Sequence, residues 1–296
     1  MRSVFDNDRV LGWALVTPLL IWIGLTLLYP LIFTVQLSFT NLRYVGSVFN
    51  YVGLRTYSAV LTDPEFTLAV VRTIIWSLAN VVLQIVGSLI VALVLNQNIR
   101  GKEFIRNWIV IPWVLPTVVL TIIWTWILDP TLGVLNYLLR TTGLAARPVK
   151  FLSSPKYVMP TVIAINVWRW VPYFSVIVLA ALQSIPRELY EAAEVDGATA
   201  LKKLVFITLP SIRPVLLVLT LFCLLWSSNI FDTIWLLTAG GPVSCTTTLP
   251  IYIYREAFQY FRFAKGAVAS VLFFMALLSI TVLYIVSIRK KVGGLG

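Results

Sequence analysis

Six apolar stretches dominate this sequence: residues 10–39, 66–95, 108–128, 158–182, 215–238 and 266–288. The hydrocarbon core of a bilayer is about 30 Å thick, and a helix needs about 20 apolar residues to cross it. Inside lipid every backbone N–H and C=O must be paired within the protein, so spanning segments of this length are helices. The chain therefore reads as all-α, a polytopic membrane protein with six transmembrane helices. Composition agrees: 59% of the 296 residues are hydrophobic and only 12% are charged, against about 25% charged in a soluble domain. The first stretch is too long for a signal-peptide core and lacks a small-x-small cleavage site, so it reads as a retained helix. No linker, soluble domain, internal repeat or low-complexity segment interrupts residues 1–296, which read as one membrane domain.

The formal net charge is +11, but the cations are scattered between apolar stretches. There they set topology and meet lipid headgroups, so they do not call for nucleic acid. Arg100, Lys102 and Arg106 between stretches two and three, with Arg289-Lys290-Lys291 after the last, place both termini in the cytoplasm. The 129–157 segment, with Arg140, Arg147, Lys150 and Lys156, pulls weakly the other way. There is no histidine, and Cys223 and Cys245 fall in an apolar stretch and in the loop after it, so neither a metal site nor a disulfide is expected. The chain has no Gly-x-x-x-x-Gly-Lys-Ser/Thr loop, no Gly-x-Ser-x-Gly elbow and no Cys-x-x-Cys pair. Without the first it cannot cradle a nucleotide's phosphates in that way, and an enzyme reading has no constellation to rest on. ATP-driven work would have to come from another subunit.

What polar chemistry exists is concentrated in three places. The first is an island at 184–210, read as a helix-turn-helix outside the membrane. Pro186 suits the first position of a helix. Glu188, Glu191 and Glu194 follow as one acidic stripe near its positive end. Asp196-Gly197 breaks that helix, a second short helix carries Lys202 and Lys203, and Pro210 closes it. The other two lie within apolar stretches: Trp168-Arg169-Trp170-x-Pro172-Tyr173, and Ser227-Ser228-Asn229-x-x-Asp232. An ionisable group in a membrane costs roughly 2.5–3.5 kcal/mol to insert, so it faces the bundle interior or a watery cavity. Asn229 and Asp232, three apart, would share a helix face with Ser228 and Trp235 nearby. Rings to stack on, with amides, carboxylates and guanidiniums to bond hydroxyls, complement a sugar. The alternative is that these groups glue helices together, with Arg169 paired to Asp232.

Glu191-Ala192-Ala193, then Gly197, then Ile207-x-Leu209-Pro210 resembles the EAA loop of ABC importer permeases. The 226–258 segment is similar to the maltose-type, carbohydrate-uptake-1 sugar permeases, in its Trp226-Ser-Ser-Asn-Ile-Phe-Asp run, its Gly240-Gly241-Pro242 and its Tyr252-x-Tyr254-Arg255-Glu256-Ala257-Phe258. Val52-Gly53-Leu54 and Leu182-Gln183-Ser184-Ile185-Pro186 agree. The resemblance runs over nearly the whole chain, in the short six-span form without the extra N-terminal spans and periplasmic domain of the maltose permease itself. It implies that 184–210 is a cytoplasmic coupling hairpin, with Glu188, Glu191, Ala192, Ala193, Asp196, Gly197, Leu209 and Pro210 meeting the ATPase. It implies substrate contacts at Arg169, Trp170, Tyr173, Ser228, Asn229 and Asp232. The implied partners are a second homologous permease, two ATP-binding subunits that use ATP and Mg, an extracytoplasmic solute-binding protein and membrane lipid. The implied location is a bacterial or archaeal cell membrane, and the implied cargo a sugar or oligosaccharide. Glycerol 3-phosphate or a related phosphorylated polyol is the alternative cargo, with Arg169 on the phosphate. An ion-driven secondary transporter would show inverted repeats and interrupted half-helices, and neither is visible in the sequence.

Overall fold

The computed structural model describes residues 8–43, 46, 50–97 and 101–292, with side chains excepted at 8–11, 102 and 289–292. Arg100, and the side chains of Lys102, Arg289, Lys290 and Lys291 used above to orient the chain, lie outside that description. Among the described residues every regular element is helical, apart from a single antiparallel bridge between Thr40 and Tyr51. Among the described residues five helices are long and apolar enough to cross a membrane, and a bent pair makes six if it counts as one span.

By the density of internal packing the chain divides into two units, Met1–Thr67 with Tyr252–Ala276, and Leu68–Ile251 with Leu277–Gly296. In the first, α1 runs from Asp8 through a π-helical turn, Gly24–Leu28, to Ser38. Pro30 follows that wide turn closely; a proline ring clashes with the carbonyl four residues back, and a wider turn relieves it. A short helix, α2 (Arg55–Leu61), is tied to the end of α1 by Ser38 Oγ and Tyr57 OH at 2.7 Å. The first N–H groups of the last helix would be bare, but Phe263 donates to the Arg43 carbonyl (3.1 Å) and Ala264 to that of Leu42 (2.9 Å). Asp63 accepts from Tyr252 OH at 3.0 Å and faces Lys265 Nζ at 3.6 Å.

The second unit holds α3 (Pro64–Asn96, begun in the first unit), α4 (Glu103–Val114), α5 (Thr117–Ile127), α6 (Val134–Thr141), α7 (Val158–Gln183), α8 (Arg187–Val195), α9 (Ala200–Ser228), α10 (Asp232–Thr238) and the first half of α11 (Leu249–Tyr254). The last helix, α12 (Phe263–Val292), ends in it. α7 is its centre: more than half of its apolar window is buried, whereas none of the corresponding window of α1 or α12 is. Phe174, Val178 and Leu182 of α7 pack on Ala92 and Leu95 of α3 and on Ile212, Leu219 and Cys223 of α9. Trp76, Val162 and Ile234 form a second core. Buried amides bind the same helices: Asn80 Oδ1 accepts from Asn166 Nδ2 (2.6 Å) and Gln84 Nε2 (3.1 Å), and Asn80 Nδ2 donates to the Trp76 carbonyl.

Three segments differ from the sequence reading. The third stretch is not one straight span: α4 and α5 meet at 95° across Leu115-Pro116. Leu115 is extended (ψ 132°), as a residue before proline prefers. Pro210 closes nothing, because α9 runs unbroken from Ala200 through a second π turn, Leu204–Thr208, and past Pro210 to Ser228. The proline again follows a wide turn, as Pro30 does. The fifth span is therefore 200–228 rather than 215–238, and α10 is a separate short helix.

Candidate functional site

A cavity of about 570 Å³ opens between α7 and the junction of α9 with α10. Arg169 and Trp170 of α7 form one wall, and Trp226, Asn229, Asp232 and Thr233 the other. Asn229 and Asp232 do not share a helix face, as their spacing suggested. Asn229 is the C-cap of α9 and Asp232 opens α10. The break turns both polar groups toward the same space. The Asn229 side-chain amide donates back to the Leu225 carbonyl at 2.8 Å, which leaves its oxygen uncommitted. Asp232 sits where the N–H groups of α10 are unpaired and favour a negative charge. One of its oxygens accepts from Thr117 Oγ1 at 2.7 Å, tying α5 to α10.

The opposite wall carries donors. Arg169 Nη1 donates to Thr233 Oγ1 at 3.5 Å, and its Nε has no hydrogen-bond partner. Trp170 is 8% exposed and its indole N–H is also unpaired. The Arg169–Asp232 ion pair considered above is absent from the ion pairs among the described residues. A buried donor left bare costs about 1–3 kcal/mol. Two of them beside one cavity give it an appetite for an acceptor.

Two of the six expected contacts lie elsewhere. Ser228 is buried; its Oγ lies 2.9 Å from Ser77 Oγ and donates to the Leu224 carbonyl, so it joins helices. Tyr173, one turn beyond Arg169, stacks on Trp113 with ring centroids 4.6 Å apart and borders a second space. Thr117, Thr233, Phe222 and Trp226 were not singled out. The two threonines are unremarkable until the breaks at Pro116 and Asn229 bring them together. Phe222 and Trp226 sit in an apolar run where nothing marks them off from lipid-facing residues.

The island at 184–210 folds around its glycine. α8 starts one residue after Pro186, which is its N-cap rather than its first residue. It ends with Gly197 at φ +74°. The Gly197 N–H donates to the Glu194 carbonyl (3.0 Å) and the Ala198 N–H to that of Ala193 (2.8 Å), a Schellman closure that needs the left-handed residue. Lys203 Nζ meets Glu194 Oε1 at 2.6 Å, and Tyr190 OH meets Thr208 Oγ1 at 2.9 Å, fixing α8 against the first turns of α9. Glu188, Glu191, Ala192, Asp196 and Gly197 are exposed and Ala193 is half-buried. Apolar side chains stand out beside them: Val195 is 89% exposed, Phe206 74% and Leu201 69%. Leu209 and Pro210 belong to α9 itself.

A membrane cavity and an exposed acidic hairpin, joined by one helix, match a described family. Residues 84–289 match the model of the binding-protein-dependent transport system inner membrane component. The chain belongs to that family. The permease is 32% identical over 283 residues to the trehalose/maltose transport system permease protein MalF of Thermococcus litoralis, covering 94% of each chain. It is 28% identical over 298 residues to the sn-glycerol-3-phosphate transport system permease protein UgpA of Agrobacterium fabrum, covering 99% of each. Its structure resembles that of a chain from a bacterial alginate ABC transporter crystallised with an alginate pentasaccharide-bound periplasmic protein, with a TM-score of 0.83, 27% identity and 96% of each chain covered. It is thus the membrane-spanning permease subunit of an ABC importer, a transport component and not an enzyme.

Proposed function

We propose that the permease forms half of the translocation pathway for a neutral sugar or oligosaccharide, and that Arg169, Trp170, Asn229 and Asp232 contact it. The observation that carries this is the opposition of unpaired donors on α7 to free acceptors at the α9–α10 break, with the rings of Trp170 and Trp226 beside them. Sugar hydroxyls both donate and accept, and sugar rings have apolar C–H faces that stack on aromatic rings. The volume falls within the roughly 300–1,000 Å³ of ordinary ligand sites. One guanidinium and one carboxylate leave the cavity without net charge, which suits a neutral solute.

Glycerol 3-phosphate is the second reading, favoured by the 28% identity to the UgpA permease and by Arg169. Against it, a phosphate in this cavity would lie near the Asp232 carboxylate, where like charges repel. Competition decides between them: neutral sugars should displace the transported solute and phosphate esters should not. For the site, Asn229→Ala and Asp232→Ala should each raise the half-saturation concentration of uptake about tenfold, equivalent to about 1.4 kcal/mol. Unchanged affinity in a normally assembled transporter would put the site elsewhere.

The hairpin at 184–210 is the coupling element. Its exposed Glu188, Glu191 and Asp196, set among Val195, Leu201 and Phe206, dock in a cleft of an ATP-binding subunit, and Gly197 lets the chain turn there. ATP and Mg act in that subunit. α9 begins at the hairpin and ends at the cavity, 29 residues later, about 43 Å along one rigid axis. A push at one end therefore moves the wall at the other, because packed helices shift as rigid bodies. The full assembly has a second permease, two ATP-binding subunits and an extracytoplasmic solute-binding protein, in a bacterial or archaeal cell membrane, with both termini of this chain cytoplasmic. Residues 1–296 act as one membrane domain.

A further inference from the structure

A second space, of about 460 Å³, lies along the same two helices as the cavity. Its lining from α7 is Tyr173 and Ile177, one and two turns past Arg169, and from α9 it includes Pro214, Val218 and Leu219. It thus lies nearer the hairpin end of both helices. Apart from the hydroxyl of Tyr173, every side chain lining it is apolar. From Pro214 to Ser228, α9 advances about 21 Å, so the two spaces in series cover most of a hydrocarbon core about 30 Å thick. One side chain borders both: Phe222. Its ring stacks on Trp226 (centroids 5.7 Å, 15°) and meets the edge of buried Phe174 at 6.1 Å. Trp226 is held in turn by the edge of Trp170 at 5.2 Å. Phe222 itself is 41% exposed, fixed on one side and free on the other.

We propose that Phe222 is the divider of the translocation path, separating the polar cavity that recognises solute from an apolar chamber that cannot retain it. A solute leaving the cavity must give up its hydrogen bonds at this ring. Only one with apolar faces passes at modest cost, sliding ring against ring from Trp226 to Phe222 to Tyr173. Hydrated ions and small polar solutes find no hydrogen-bonding partners along that lining beyond the Tyr173 hydroxyl, which keeps the path sealed at rest. The lipid-facing alternative for the apolar chamber is an outcome of the test below.

The inference rests on reading the cavity as part of the solute path, and its test avoids recognition altogether. The complete transporter, this permease with its partner subunits, is reconstituted in liposomes loaded with radioactive sodium ions, without ATP or solute-binding protein. Phe222→Ala should raise sodium efflux at least tenfold over the unmodified transporter, and Phe222→Trp, which restores a ring, should not. An assembled Phe222→Ala transporter that is as tight as the unmodified one overturns the proposal and assigns the chamber to lipid. Should the alanine variant fail to assemble, Phe222→Leu takes its place: a leak supports the divider, and a tight vesicle removes it. If Phe222→Ala leaks while Asp232→Ala leaves affinity unchanged, the recognition reading fails and the divider stands.

Discussion

Single residues carry measurable consequences where a polar group is enclosed. Glu256, in the π turn Arg255–Gln259, is 2% exposed, and its Oε2 has no hydrogen bond. Burial pushes its carboxyl above the usual carboxylate range; Lys265 and Arg262 pull it back, and Asp63 adds to the rise. The folded chain therefore binds this proton more tightly than the unfolded chain does. The stability it contributes is full below the unfolded value of about 4.3 and declines as pH rises through the folded value. Glu256→Gln mimics the protonated form, so its thermal midpoint should exceed that of the unmodified protein at pH 8 and equal it at pH 4. A lower midpoint at pH 8 would show that the Arg262 pairing, at 3.6 Å, outweighs burial. Asn80 makes the opposite point. Its Oδ1 receives two amide donors in a fully buried setting, so Asn80→Leu leaves both bare at about 1–3 kcal/mol each. Asn166→Leu removes one donor along with its bond, and membrane hydrogen bonds average only about 0.6 kcal/mol. Thermal midpoints in detergent should rank the two variants in that order.

At the scale of elements, the hairpin turns on Gly197. A β-branched residue at φ +74° is strained by roughly 1–2 kcal/mol, whereas asparagine tolerates that region better. Gly197→Val should therefore sharply lower ATP hydrolysis stimulated by the solute-binding protein, and Gly197→Asn should keep most of it. Equal, unchanged hydrolysis in both would detach the turn from coupling. This glycine was readable from sequence because acidic residues before it and a helix break after it leave few alternatives. α7 was readable for a related reason: a long apolar run bounded by polar loops fixes both ends, and 158–182 matches Val158–Gln183. The prolines were readable only in part: Pro18, Pro30 and Pro172 fall within expected spans, but the effects of Pro116 and Pro210 were not legible. Pro18, Pro172 and Pro210 lie inside helices, whereas Pro116 breaks one. Local sequence cannot separate these, since neighbouring helices and wide turns decide whether the freed carbonyl is satisfied. The polar half of the cavity stood out against an oily background. Its aromatic half did not, because Phe222 and Trp226 look the same whether they face lipid or a path.

For the whole molecule, orientation is the property on which coupling depends, and a single helix sets its sign. α7 is the only span between the loop that holds Leu132 and the hairpin that holds Val195. A segment of 26 residues, well packed and apolar, crosses the bilayer once, so these two sites lie on opposite faces. Both are almost fully exposed, at 91% and 89%, and both can take a cysteine without disturbing a core. The existing thiols differ in access, Cys223 being buried and Cys245 half-buried, so Cys245→Ser gives a quiet background. In intact cells a membrane-impermeant maleimide should label Leu132→Cys, and should reach Val195→Cys only after permeabilisation. The cations Arg140, Arg147, Lys150 and Lys156 of the 129–157 loop weigh against this orientation. The hairpin at the other end of α7 answers them with Arg187, Lys202 and Lys203, cations that favour the cytoplasmic face. Labelling of Val195→Cys from outside would place the acidic hairpin where no ATP-binding subunit can meet it, and α9 could then transmit nothing from nucleotide to cavity.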